Sequence, residues 1–386
     1  MEHKDFEHGF IRENADMLRK MFGSHDLMPF WLADMEFQVA EPITAELERI
    51  AGRAMYAYEY AADAALEAIV QWNRRRNNLN LEARFFVQIT GVLAGIALLI
   101  RELCKEDEAV LIQTPVYHQF ARIIKGAERR IVRNPLRIAS GKYEMDFDDL
   151  EEKLARENVK IILLCNPHNP VGRVWKADEL ARLVELADSH GAVIISDEIH
   201  SDIIYTGNAF TSIASFGPSR HIALLGSPAK TFGLMSIAGG YIYISDAHTR
   251  NRIKNTVSTM HLNHGNAFSV YGTIAAYNQG EPWLNEMLAY LEQTLAWIQD
   301  HLERELPAVL TYTPEGTYQI WMDFAGLGLT GDEIQSTLVH EARLALTPGQ
   351  WFDDHSSTFM RMNIAVPLSR VKIALERMTV AFRDKA

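Results

Sequence analysis

Between residues 109 and 244 the chain alternates short, continuous apolar runs with amphipathic segments. AVLIQ (109–113), KIILLC (160–165), AVIISD (192–197), HIALLG (221–226) and GGYIYI (239–244) are five or six residues long. Runs that short, rich in β-branched residues and apolar on both sides, read as strands buried on both faces. Between two of them, ADELARLVELADSHG sets Leu180, Leu183, Val184 and Ala187 on one helical face, and Gly191 ends it. Strands separated by helices predict a mainly parallel sheet with right-handed crossovers, an α/β fold.

The pattern changes after residue 280. From Trp283 to Leu306, Leu284, Leu288, Leu291, Leu295, Ile298 and Leu302 form one stripe, predicting a long helix suited to link a large domain to a smaller one. TYQIWMDF (317–324) reads as a strand, and helices are expected over about 331–343 and 368–383. The expected division is a 1–43 arm crossing to the small domain, a large domain over 44–275, and a small α+β domain over 276–386.

Charge and cysteine usage narrow the partners. Fifty acidic against 38 basic residues give a net charge of −12, which repels polyanions, so no nucleic-acid partner is expected. Arg74-Arg75-Arg76 ends a helix-like segment and reads as a solvated face. Cys104 and Cys165 form no C-x-x-C pair and read as small core residues of a reducing compartment. MEHKDFEHGF lacks the apolar centre of a signal peptide. GVLAGIALLI (91–100) falls short of the roughly 20 residues that cross a bilayer. A cytoplasmic protein without membrane contact is expected.

In an open parallel sheet, ligands collect beyond the carboxyl ends of the strands. After KIILLC comes NPHNPVG with Asn169; AVIISD ends in Asp197; HIALLG leads to Ser227-Pro228-Ala229-Lys230; AVLIQ leads to TPVYHQF with Tyr117. Singly, these are caps, turns and packing. Together they suit an aldehyde-bearing pyridine with a phosphate tail. An amine can condense with the aldehyde, a carboxylate can keep the ring nitrogen protonated, an amide can bond the ring oxygen, and an aromatic face can stack on the ring. A helix opening at Gly91, Val92 and Leu93 offers backbone N–H groups to the phosphate, and Ser227 adds a hydroxyl.

Two other motifs compete. Ser227-x-x-Lys230 fits the S-x-x-K of serine β-lactamases, but neither S-D-N nor K-T-G occurs. Gly326-Leu-Gly328-Leu-Thr-Gly331 is a literal G-x-G-x-x-G, yet no buried β-branched strand precedes it, so it reads as a glycine turn capped by Asp332. His261 with His264, or His168 with His200, lack a full ligand set, so no metal is expected.

NPHNPVG, SDEIHSD, SPAKTFG and MRMNIAVP resemble the signature blocks of the fold-type I, pyridoxal 5'-phosphate (PLP) dependent aminotransferase superfamily. WLADMEF (31–37), TPVYHQF, PWLNEMLAYL (282–291), GTYQIW (316–321) and FMRMNIAVP (359–367) more closely resemble its MalY/PatB-like cystathionine β-lyase (C–S lyase) branch. The blocks run in register from about residue 30 to the C-terminus. The resemblance implies a PLP-dependent transferase fold: a large domain with a mainly parallel seven-stranded sheet flanked by helices, and a smaller α+β C-terminal domain.

Roles follow residue by residue. Lys230 would bind the cofactor aldehyde and later act as base at the substrate Cα. Asp197 would pair with the pyridine nitrogen, Asn169 and His200 with the ring oxygen, and Tyr117 would stack on the ring. Ser227 and the amides of Val92 and Leu93 would grip the phosphate. Tyr58 would reach the phosphate of a neighbouring subunit in a homodimer, and Arg361 would hold the substrate α-carboxylate. Pocket residues are also expected near Trp31–Asp34. The chain departs from the family at Tyr56-Ala57-Tyr58, at Gly233 in KTFG, in YLEQT and in MLRKMFG. The implied activity is β-elimination of cystathionine or cysteine conjugates; amino-acid transamination is the alternative, and a regulatory protein with residual lyase activity a third reading.

Overall fold

The computed structural model describes residues 9–58, 62–219, 221–263 and 265–385. The chain divides into two compact units. The larger is Val39–His168 and Arg173–Asn285; the smaller is Asn169–Gly172, Glu286–Ala386 and the segment that ends at Gln38.

Seven strands build the sheet of the larger unit: β1 (Phe86–Ile89), β2 (Ala109–Ile112), β3 (Arg130–Arg133), β4 (Val159–Cys165), β5 (Val193–Asp197), β6 (Ile222–Gly226) and β7 (Gly240–Tyr243). Their order is β1-β7-β6-β5-β4-β2-β3. β7 runs antiparallel to both neighbours, and the remaining pairs are parallel. All five apolar runs are strands. β1 and β3, the edge strands, lay outside the expectation; in RIVR only Val132 is buried, so the apolar signal is thin.

One face of this sheet packs against α1 (Val92–Leu103). Ile96, Leu99 and Ile100 are fully buried there, in a cluster with Ile112, Ile161, Leu163, Ile195 and Leu225. Each such side chain contributes about 1.5–3 kcal/mol by leaving water. Helix α2 (Ala177–Ser189) buries Leu180, Leu183 and Ala187 as its periodicity predicts, with Val184 at the margin. The four-residue helix α3 (Ala229–Phe232) follows β6 directly.

Helix α4 (Glu281–Glu305) buries all six residues of the predicted stripe. It begins two residues earlier than expected, because Pro282 suits a first helical turn. The smaller unit has an antiparallel sheet of β8 (Leu310–Thr311), β9 (Gln319–Asp323), β10 (Thr347–Pro348) and β11 (Phe359–Asn363), in the order β8-β9-β11-β10. It also holds α5 (Gly331–His340) and α6 (Leu368–Phe382).

The glycine-rich stretch 326–331 is a turn, as read, but its cap differs from the expectation. Thr330 accepts from the Glu333 amide and Glu333 reaches back to the Thr330 amide, a capping box, so Asp332 sits inside the first turn instead. Residues 28–36 thread along the small unit's strands. Phe30 N–H donates to Ala345, Asn363 N–H to Phe30, and Glu36 N–H to Ala365.

Candidate active site

Asp197 ends β5, level with Leu225 of β6. Val193 and Ile195 face the core beneath α1, so strand alternation brings Asp197 to the same side. The carboxylate is 5% exposed and accepts from Ile199 N–H at 3.1 Å. Burial pushes its pKa up to about 6, while the Ile199 amide and the Lys230 cation pull it down. A carboxylate buried this deeply is stabilised by a cationic partner. Its neighbour Glu198 is fully supplied by donors: Ser196 Oγ at 3.0 Å, Ser212 Oγ at 2.7 Å and Ile213 N–H at 2.9 Å.

Lys230 stands on α3, half-buried, four residues past the end of β6. Its helix is pinned from the side. Thr231 donates to Asp202 Oδ2 at 2.8 Å, and Trp72 donates to Asp202 Oδ1 at 2.9 Å. Phe232 is buried against Trp72, Tyr277 and Trp283. Gly233 closes the helix at φ +73°, a left-handed conformation that glycine adopts without strain. That conformation suits a glycine at position 233, where this chain departs from the family. Asp202, the last residue of SDEIHSD, thus anchors the turn that carries Lys230, a role its sequence position does not announce.

Helix α1 starts at Val92 with no side-chain cap, and Leu93 is 38% exposed. β7 comes close to this helix start: a Cβ on Gly240 would meet Val92 N at 3.1 Å and Gly91 C at 3.2 Å. Ser227 Oγ donates to the Gly239 carbonyl at 2.7 Å and accepts from Ala229 N–H at 3.2 Å. Its single proton is therefore on Gly239, so a bond to a phosphate requires the hydroxyl to turn. The Gly239 N–H in turn donates to Ser269 Oγ at 2.8 Å.

Tyr117 is half-buried, its ring against the core beneath α1 and edge-on to Phe120. His200 is buried in the turn after β5. Tyr58 is 98% exposed. Asp197, Ser227, Lys230, Tyr117, His200, Val92, Leu93 and Tyr58 all belong to the larger unit.

Asn169 and Arg361 belong to the smaller unit, where they are bonded to each other. Arg361, on β11, is 2% exposed. Its Nη1 donates to Asn169 Oδ1 at 3.0 Å; its Nη2 donates to the Trp31 carbonyl at 2.8 Å and to Thr347 Oγ1 at 3.3 Å. Phe352 lies under the guanidinium at 5.0 Å. With Oδ1 committed to Arg361, Asn169 presents its NH2 as the donating end. Trp31 falls within the segment expected to supply pocket residues, whereas Thr347 carried no sequence signal.

His168 is fully buried, bonded to the Pro115 carbonyl at 2.8 Å, and burial lowers its pKa to about 4. That makes it a neutral core residue. His264 lies outside the described residues. Among the described residues no group of three His, Cys, Asp or Glu side chains could hold a metal ion, and no helix is long and apolar enough to cross a membrane. Cys104 and Cys165 are both buried and unpaired with one another.

The donor set of the larger unit fits PLP: an amine beside a buried carboxylate, and an uncapped helix start against glycine. With a seven-stranded, mostly parallel sheet, it defines a fold-type I enzyme. The sequence matches the family model of aminotransferase class I and II over residues 33–378. It is 32% identical over 368 residues to cystathionine β-lyase PatB of Bacillus subtilis (strain 168), covering 95% of each chain. A PLP-bound putative aminotransferase from Clostridium difficile 630 superposes with a TM-score of 0.93, at 35% identity and 96% coverage of each chain. A PLP-bound C–S lyase from Staphylococcus hominis gives 0.91 at 29% identity, covering 98% of this chain and 97% of that one. The chain belongs to the aminotransferase class I and II family, on the branch of the PatB- and MalY-type C–S lyases.

Proposed function

We propose that this protein is a PLP-dependent carbon–sulfur β-lyase that converts cystathionine or related cysteine S-conjugates to pyruvate, ammonia and a thiol. The observation that carries this reading is the 32% identity to a cystathionine β-lyase across 95% of both chains. PLP, when bound, supplies an electron sink for the pair left at the substrate Cα.

The chain's own residues do the rest. Lys230 would hold the cofactor through its aldehyde, and its amine would be the base for the substrate Cα proton. Asp197 keeps the ring nitrogen protonated, and that cation in turn settles a carboxylate that burial alone disfavours. Asn169 and His200 would bond the ring oxygen, and Tyr117 would stack on the ring. Ser227 and the amides of Val92 and Leu93 hold the phosphate. Arg361 holds the α-carboxylate through its planar fork. As Lys230 Nζ takes the Cα proton, the Cα–H electron pair becomes the second bond between Cα and Cβ, and the Cβ–S bond breaks with its pair on sulfur. Lys230 then has the proton that the leaving thiolate needs, and water completes the conversion to pyruvate and ammonia.

The working form proposed is a homodimer in which Tyr58 reaches the neighbouring subunit's phosphate. Met55, Tyr56 and Tyr58 are 72, 60 and 98% exposed, a run of apolar surface that favours a protein partner. The alternative is transamination, favoured by the 35% identity to a protein described as a putative aminotransferase. There Lys230 would return the proton to the cofactor carbon instead of the thiolate.

Incubating the purified protein with L-cystathionine tests the two. Equal release of pyruvate and thiol supports the lyase. Conversion of the cofactor to its amine form by a donor lacking a leaving group, with no pyruvate from cystathionine, supports transamination.

A further inference from the structure

We infer that Arg12 is a positioning residue for the substrate carboxylate: with Glu36 and Arg370 it forms an ionic latch, centred on the buried Arg12–Glu36 pair, on residues 31–36, the strap that holds Arg361. The inference rests on the proposed role of Arg361.

Arg12 lies in a single helical turn, Ile11–Glu13, and is 2% exposed. Its Nη1 is 3.1 Å from Asp34 Oδ1, and its Nη2 is 3.1 Å from Glu36 Oε1. Glu36, whose side chain is wholly buried, meets Arg370 Nη1 through Oε2 at 3.2 Å, and Arg370 Nη1 is 3.3 Å from Glu13. Two guanidinium groups thus join three carboxylates, with the Arg12–Glu36 pair buried at the centre, Asp34 and Arg370 partly exposed, and Glu13 at the surface. Such groups are costly to bury, and a packed apolar cluster of the same volume would serve stability at least as well. Their value lies in fixing one geometry.

What they fix is the segment 31–36. Trp31 Nε1 donates to the Arg12 carbonyl at 3.3 Å, and the Trp31 ring packs edge-on against Phe22. The Trp31 carbonyl receives both Arg361 Nη2 at 2.8 Å and Thr347 Oγ1 at 2.7 Å. Farther along the strap, the carbonyls of Leu32 and Asp34 each accept from Asn363 Nδ2 at 2.7 Å, two residues from Arg361 on β11. Arg12 therefore grips the strap at Trp31, Asp34 and Glu36, and the strap supplies the acceptor that aims one arm of the Arg361 fork. Loosening the latch leaves Arg361 in place but lets that fork turn, a loss in carboxylate binding and not in proton transfer.

The test uses the cofactor-loaded enzyme and the amino acid substrate that the parent turns over. Arg12→Met would strand two carboxylates, so it is combined with Glu36→Gln. The expected result is a KM raised about tenfold, a kcat within about twofold of the parent, and unchanged cofactor absorbance and affinity. A soluble, loaded variant with the parent's KM would overturn the inference, as would kcat and cofactor affinity falling together with KM. Should the double variant not fold, Arg12→Lys decides by the same split, since one ammonium cannot replace the planar fork on two carboxylates. Arg361→Lys is the reference. An unraised KM there removes the carboxylate role of Arg361; a raised KM there without one in the Arg12 variants removes only the latch.

Discussion

At the carboxyl edge of the large sheet, Asp197, Ser227 and Lys230 are set by the strands they follow and by turns a few residues long. Arg361 is set by Thr347, Asn169 and Trp31, which lie 14, 192 and 330 residues away along the chain. The electrostatics differ as well. Burial pushes the pKa of Asp197 up to about 6, with the Ile199 amide and the Lys230 cation pulling it down. Arg361 already has acceptors on both arms and an aromatic ring below it. The first region suits the chemistry proposed for it, and the second suits the proposed holding of a substrate.

Removing the amine gives the sharpest contrast. Lys230→Ala should lower kcat by roughly 10³-fold or more, measured as pyruvate release, because anchor and base are lost together. A loss under about tenfold would break the assignment of chemistry to the strand-end region.

Next in size is the charge on Asp197. Its folded pKa of about 6 lies above the ordinary 3.8, so the folded protein holds this proton more tightly than the unfolded one. Its favourable contribution is complete below about pH 4 and is lost as pH rises through about 6. At pH 8 the deficit is on the order of 3 kcal/mol. Cofactor-free Asp197→Asn should therefore resist urea better than the parent at pH 8, with the difference closing toward pH 4. A pH-independent difference would contradict the burial argument.

In the other region, Arg361→Lys should raise KM by roughly 30-fold, about 2 kcal/mol, with a smaller change in kcat. Equal losses in both constants would mean that Arg361 takes part in the chemical step. The smallest effect is expected for Gly240→Ala, whose Cβ would press on the start of α1. About 1 kcal/mol should appear as a several-fold weaker affinity for PLP. Weakened affinity for the amino acid alone would place that contact elsewhere.

The same contrast explains what could be read from the chain. SDEIHSD and SPAKTFG announce their residues because a continuous apolar run marks where each strand ends. The edge strand β3 lacks such a run, whereas β1 has a short one, with Phe86, Val87 and Ile89 buried, that lies outside the expected set. Thr330 took the cap expected of Asp332 because Glu333 completes its box, a choice decided by two residue positions. Arg12, Thr347 and Gly240 were silent because their roles come from contacts made only after distant segments pack. Trp31 was legible as part of WLADMEF, but what meets Arg361 is its backbone carbonyl, while its side chain bonds the Arg12 carbonyl.

The central claim is that the amine of Lys230 forms the covalent link to PLP. Borohydride reduction of the cofactor-loaded protein, followed by proteolysis and mass spectrometry of the peptides, tests it directly. The account predicts a pyridoxyl-phosphate mass on the peptide that contains Lys230, and none after Lys230→Ala. Stable label on another lysine, or no label on a protein that carries the cofactor's colour, would contradict it.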